Sequence, residues 1–303
     1  MLKLKNKKEW TWEKGMNFTE ELIKETVCCI DSKFDSLTLR KFLSVLNAIN
    51  SVLAEDRKEK YPLFLRIDED IIINIVKRII SEPEKKILVG IAGESACGKT
   101  TFVNSVMSVF EGERNKRLYT TLCTDDYYKD TSEELLKAGS YEELFKSGFS
   151  FDTPEAFNLD LMKEHLIILR SGNNIKSPSY DFVTCKSTLE VNEKESSKVI
   201  LNEGLYVLTD KLKDIMDIKA YIFTPYQVIK DRWFKRAETR GKTGEAAKIQ
   251  FEDVNNAAKL YIRPALNYAD IIISGLCSES YIINFTQKLV KAIENALIIS
   301  NKV

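Results

Sequence analysis

Histidine is nearly absent: His165 is the only one in 303 residues. That excludes Ser-His and Cys-His catalysis and histidine-rich metal sites unless His165 is itself the member, and no nucleophile lies near it in the sequence. Its neighbours Leu161, Met162, Leu166 and Leu169 recur at helical spacing, which predicts a histidine on a helix surface. Net charge is absent too, since 45 basic residues balance 45 acidic ones. No global field therefore draws the chain to nucleic acid or to an anionic membrane. No apolar run approaches membrane-spanning length, and the four lysines of residues 2–8 lead into Trp10 and Trp12 rather than a signal-peptide core. The 6 cysteines lack CxxC spacing, and Cys28 and Cys29 are adjacent, which suits neither a zinc site nor a disulfide framework. A reducing, cytoplasmic location is expected. Homo-oligomerisation is left open.

What the chain does have is concentrated in residues 87–107. The apolar run Ile87-Leu88-Val89-Gly90-Ile91-Ala92 leads through Gly93-Glu94-Ser95-Ala96-Cys97-Gly98-Lys99-Thr100 into Thr101-Phe102-Val103-Asn104-Ser105-Val106-Met107, whose apolar residues fall at helical spacing. Strand, glycine-bounded loop and helix in this order form a phosphate-binding loop, and each fixed residue has a task. The glycines let backbone N–H groups surround phosphate oxygens, and the helix N-terminus adds its dipole. Lys99 reaches the β/γ-phosphates and the Thr100 hydroxyl can join a Mg²⁺ shell. Residues 93–101 are thus the expected nucleotide cradle. Cys97 lies at a helix N-terminus beside Lys99, two features that stabilise a thiolate, so a reactive thiol competes here with a buried inert one.

Residues 1–82 read as helices over Phe18–Ile30, Leu37–Leu53 and Asp68–Ile80, with Tyr61-Pro62 separating the last two. Ser81-Glu82-Pro83-Glu84 is the best linker, dividing this helical segment from a domain over 83–303. Beyond it, apolar runs at Leu118–Thr124, Val199–Leu201, Ala220–Phe223 and Ile271–Ile273 alternate with helical stretches and are mostly continuous, as parallel strands covered on both faces should be. An α/β fold with an open parallel sheet is predicted, with ligands beyond the carboxyl ends of the strands. Asp125 and Asp126 follow one such end. On an extended segment their side chains would point in opposite directions, so one faces the phosphates, although an aspartate turn or cap fits equally. Glu203, closing Val199-Ile200-Leu201-Asn202, has the placement of a carboxylate that orders metal-bound water. Arg232, Lys235, Arg236 and Arg240 follow Thr224-Pro225 on a predicted helix, a basic face suited to neutralise transferring phosphoryl oxygens, as a lid over about 225–245.

These motifs come in a recognisable order. With the loop stand Asp125-Asp126-Tyr127-Tyr128-Lys129, Phe151-Asp152-Thr153-Pro154-Glu155-Ala156-Phe157, Pro178-Ser179-Tyr180-Asp181-Phe182, Val199-Ile200-Leu201-Asn202-Glu203-Gly204, Arg240-Gly241-Lys242 and Tyr268-Ala269-Asp270-Ile271-Ile272-Ile273. Over about residues 86–275 the chain resembles the uridine kinase and phosphoribulokinase family, and within it the uridine-cytidine kinases. The resemblance implies that Asp125 receives the proton of a nucleoside 5′-hydroxyl and that Asp152 binds the ribose hydroxyls. It implies Tyr180 beside the base, Glu203 in the Mg²⁺ shell, and Arg232 and Arg240 in the lid. Capping of a helix opened by Thr153-Pro154 is the competing role for Asp152. Three departures stand out: Ala96-Cys97 in the loop, Lys235 rather than arginine in the lid with Arg236 one place on, and Cys185 where such kinases place a base-reading histidine. The expected activity is ATP-dependent transfer of the γ-phosphoryl group to a small-molecule hydroxyl, with uridine or cytidine leading. A sugar phosphate or glycerate acceptor and a non-catalytic ATP-binding regulator are the alternatives. No Asn-Lys-x-Asp guanine-reading motif is present.

Overall fold

The computed structural model describes residues 35–110, 118–140, 143–144, 147–239 and 243–302. The predicted helix over Phe18–Ile30 and the Arg240-Gly241-Lys242 motif lie outside them. Six strands form one sheet: β1 (Phe64–Ile67), β2 (Ile87–Ala92), β3 (Tyr119–Cys123), β6 (Val199–Gly204), β7 (Ile218–Phe223) and β8 (Ile271–Ser274). A separate antiparallel hairpin pairs β4 (Ile175–Asp181) with β5 (Lys186–Lys194). The sheet order is β1-β8-β7-β2-β6-β3, parallel throughout except for β1, which runs antiparallel at the edge beside β8. β2 is central, so the loop that leaves its carboxyl end opens at the crevice of the sheet.

The apolar runs are continuous because the sheet is covered on both faces. On one face Leu88, Leu122 and Ile200 meet Met162 and Leu166 of α5 (Leu159–Arg170). On the other, Leu201 and Ile222 share a core with Val103 of α3 (Lys99–Ser108), Phe42 and Leu46 of α1 (Ser36–Asp56), and Phe285 of α8 (Glu279–Lys302). Further α-helices are α2 (Glu69–Ser81), α4 (Ser132–Ala138), α6 (Tyr226–Thr239) and α7 (Gly244–Ala257). Asp35 caps α1 by accepting from Thr38 N at 2.7 Å, and Asp68 caps α2 by accepting from Asp70 N at 3.1 Å.

Two elements depart from expectation. Helices alone were predicted before residue 82, yet Phe64–Ile67 is a strand whose Phe64 ring packs at 5.4 Å from that of Phe285. A four-residue edge strand carries too short a pattern to show period-two alternation. α2 is tied to the sheet as well, because Asp217 accepts from Arg78 (2.5 Å), Arg170 (2.9 Å) and Leu88 N (2.8 Å). The hairpin β4–β5 likewise has no counterpart among the predicted strands. Its strands carry Lys176, Lys186, Asn192 and Lys194, as a two-stranded ribbon with a solvated face can. Among the described residues no helix is long and apolar enough to cross a membrane.

Candidate active site

The phosphate loop is held from several sides. Gly98 enters α3 at φ 105°, a left-handed conformation natural to glycine, while Ala96 adopts φ 65°, a position that costs a residue with Cβ about 1–2 kcal/mol. Lys99 Nζ donates to the carbonyls of Gly93 (2.9 Å) and Glu94 (3.0 Å), lying across the loop mouth. Thr224 Oγ1 donates to Cys97 O at 2.8 Å, and Arg232 reaches Gly275 O at 2.9 Å. Arg236 donates to Ser95 Oγ at 2.6 Å. Beside Arg232, the cation of this helix that meets the loop is therefore Arg236, one place beyond Lys235. Arg240 lies outside the described residues.

Burial favours the inert alternative for Cys97. Its side chain is 0% exposed beneath the loop, and burial raises the thiol above its ordinary value against the lowering influence of Lys99. Desolvation thus outweighs the helix-terminus argument for a thiolate.

Across the loop, Thr100 Oγ1 donates to Glu203 Oε1 at 3.2 Å, so the two residues expected in the metal shell meet. Glu203 is 8% exposed and also accepts from Cys123 Sγ at 3.6 Å. One carboxylate and one hydroxyl fit Mg²⁺, which takes few protein ligands and completes its octahedron with water and phosphate oxygens. Among the described residues no group of three or more His, Cys, Asp or Glu could form an all-protein cage.

Asp125 and Asp126 are not on extended backbone. Thr124–Tyr127 is a 3₁₀ turn, in which successive side chains are about 120° apart, so the opposed-direction argument does not apply. The turn still separates them. Asp125 is exposed on the cavity wall, while Asp126 is half-buried off it, its carboxyl raised first by desolvation. His165 is not a bare surface residue: it is half-buried on α5, with its Nδ1 2.8 Å from the hydroxyl of buried Tyr127.

A cavity of about 880 Å³ runs from the loop to the hairpin, and Asp125, Asp152, Tyr180, Cys185 and Glu203 all line it. Its far end is aromatic. The Tyr128 ring lies 4.9 Å from Tyr180 and 5.7 Å from Phe182, with Phe151 beside it at 6.3 Å. Cys185 sits at the hairpin turn at φ 56°, buried, its carbonyl accepting from Thr131 N at 3.0 Å. Thr153-Pro154 opens no α-helix: Pro154–Ala156 is a 3₁₀ turn whose N-cap residue is Thr153, with no side-chain cap bond, and Tyr206 Oη donates to the Asp152 carbonyl. Lys99, Arg232 and Arg236 are the described cations lining the cavity, and all three are at the loop end.

Sequence reasoning missed Gln250 and Trp233, which line the cavity from α7 and α6, and it missed Arg263. Arg263 grips the Glu94 carboxylate with Nε (3.0 Å) and Nη2 (2.9 Å), and Nη2 also donates to Asn255 Oδ1 at 2.7 Å. Only Arg263-Pro264, just ahead of the Tyr268 motif, marked that place in the sequence, and nothing there pointed to a partner in the loop.

A central strand feeding a phosphate loop, cations on a helix above it and a cavity leading onward to a carboxylate make up a small-molecule phosphotransferase. The profile of the Phosphoribulokinase / Uridine kinase family matches residues 88–280, well over half of the chain, and the chain belongs to that family. The uridine kinase of Staphylococcus haemolyticus is 35% identical over 189 residues, 61% of this chain and 86% of that protein. That of Vibrio cholerae is 32% identical over 197 residues, 64% of this chain and 89% of that protein. Among solved structures, a putative fructose transport system kinase from Silicibacter matches at 19% identity and TM-score 0.49, covering 64% of this chain and 91% of that one. Phosphoribulokinase from Rhodobacter spheroides matches at 15% identity and TM-score 0.46, covering 66% and 74%. The chain is a small-molecule kinase that acts on a hydroxyl acceptor.

Proposed function

We propose that this kinase transfers the γ-phosphoryl group of ATP to the 5′-hydroxyl of uridine or cytidine, in the cytoplasm. The observation that carries the acceptor is the division of the cavity: cations at the loop end, aromatic rings and the carboxylate of Asp152 at the other. A sugar phosphate or glycerate needs a cation for its own anionic group, and the described lining of the far end offers none. A nucleoside needs faces for a flat base and an acceptor for ribose hydroxyls. Tyr128, Tyr180 and Phe182 provide the first and Asp152 the second.

In this reading backbone N–H groups of 93–100 and Lys99 hold the phosphates, and Asp125 accepts the proton of the attacking hydroxyl. Arg232 and Arg236 stabilise charge on the phosphoryl oxygens and close the site to water, the task that the family resemblance also gives to Arg240. Thr100 and Glu203 would hold Mg²⁺, which when bound neutralises β- and γ-oxygens. Cys185 lies where a histidine would read the base edge. A thiol is a weak donor and acceptor, so the loss of one hydrogen bond, about 0.5–1.5 kcal/mol, blurs the choice between uracil and cytosine.

The test is ADP release from purified protein with a panel of nucleosides, sugar phosphates and glycerate. Turnover with both uridine and cytidine is expected, with kcat/KM values within about tenfold of each other. Turnover confined to a sugar phosphate or glycerate would refute the acceptor. ATP binding with no turnover on any of them would favour the regulator.

A further inference from the structure

Residues 56–64, from the last residue of α1 to the first of β1, lie ahead of the family match yet touch the wall of the cavity. Asp56 is 2% exposed, and both its oxygens are engaged. Oδ1 accepts from Leu63 N (2.8 Å) and from the Tyr281 hydroxyl (2.7 Å), and Oδ2 from Phe64 N (3.0 Å). The turn so fixed presents two carbonyls to the loop after β8. Leu63 O accepts from Ser274 N at 2.7 Å, and Tyr61 O accepts from Cys277 Sγ at 3.6 Å. Ser274, Gly275, Cys277 and Ile282 line the cavity at its phosphate-loop end.

Gly275 passes the constraint on. A Cβ there would stand 2.2 Å from Cys97 O and 2.0 Å from Thr224 Oγ1, so its backbone rests directly on the phosphate loop. Its carbonyl is also the acceptor for Arg232 at 2.9 Å. Direct contacts therefore run from Asp56 through Leu63, Ser274 and Gly275 to the loop and the lid.

We propose that Asp56, locked by the Tyr281 hydroxyl, is a positioning residue for the phosphate donor: it holds the Leu63 carbonyl that fixes the Ser274–Cys277 wall against the phosphate loop. The segment ahead of the family match then serves donor binding, a role that rests on the reading of the loop as the ATP site. A carboxylate in a turn could also serve stability alone, and the two roles separate kinetically. A loosened wall weakens the donor and leaves the acceptor end untouched, because Asp152, Tyr180 and Cys185 sit on other elements. A global loss of stability moves both.

The experiment compares Asp56→Asn and Tyr281→Phe with wild type in the full chain. It measures ATP dissociation by calorimetry, KM for ATP and for uridine, kcat and Tm. Tyr281→Phe keeps the ring and removes one hydrogen bond, so it should fold, and it should raise both the ATP dissociation constant and the ATP KM about three- to tenfold. The uridine KM should stay within about twofold. Asp56→Asn should shift the same constants in the same direction and further. Unchanged ATP constants in Tyr281→Phe, or ATP and uridine constants that rise in parallel with a fall in Tm, would overturn the proposal. Failure of wild type to bind ATP would overturn it together with the reading of the loop, and is seen before any variant is made.

Discussion

Asparagine in place of Asp125 is expected to cut turnover by about 10²-fold or more while ATP binding stays near wild type. The carboxylate stands exposed on the cavity wall just after β3, with no direct part in holding the phosphate loop. The isosteric amide keeps a hydrogen-bond acceptor but cannot take the hydroxyl proton, and loss of a positioned base costs about 10²–10⁴-fold. Asp126→Asn is the internal control. Its carboxyl is half-buried and does not line the cavity, so an amide there should be mild. Steady-state kinetics with calorimetric ATP binding checks both. A crippling Asp126→Asn beside a mild Asp125→Asn would mean that the 3₁₀ turn presents the other carboxylate to the acceptor.

Arg263→Met carries the second large effect, a fall in ATP affinity of about tenfold or more. The phosphate loop is built to receive anions, and Glu94 places a carboxylate inside it. The two-pronged contact at 3.0 and 2.9 Å neutralises that charge, and the bond to Asn255 ties the same guanidinium to α7. Removing one partner of a fully buried pair costs about 3–5 kcal/mol. The Arg263 side chain is 34% exposed, so solvent takes up part of this and tenfold is the expected scale. The sign of the double variant is the sharper test. Glu94→Gln added to Arg263→Met removes the stranded charge and should recover most of the lost affinity. If the double variant binds ATP worse than the single one, Arg263 acts through α7 and not through Glu94.

What could be read from the sequence was what depends on local order. The central strand, the loop and the parallel strands after it follow from continuous apolar runs and one spaced motif, and Thr100 and Glu203 meet where the strand ends place them. What could not be read depends on distant parts of the chain. β1 is recognisable only through its partner β8, and the Glu94–Arg263 contact joins residues 169 positions apart. Cys97 shows a local rule overruled: the helix terminus and Lys99 argue for a thiolate, but packing beneath the loop desolvates it. For Asp125 the outcome was a place on the cavity wall, although the extended backbone assumed for it is a 3₁₀ turn. His165 looked peripheral because only the fold brings Tyr127 to it.

The central claim is that a phosphoryl group moves from ATP to a nucleoside 5′-hydroxyl, and the product itself tests it most directly. Uridine, Mg²⁺ and ATP labelled in the γ-phosphate should be incubated with the full chain and the phosphorus species resolved by NMR. The account predicts the label in a monoester whose phosphorus couples to the two protons on the ribose 5′ carbon, formed in step with ADP. Label appearing only as inorganic phosphate, or on a secondary ribose hydroxyl, would contradict it.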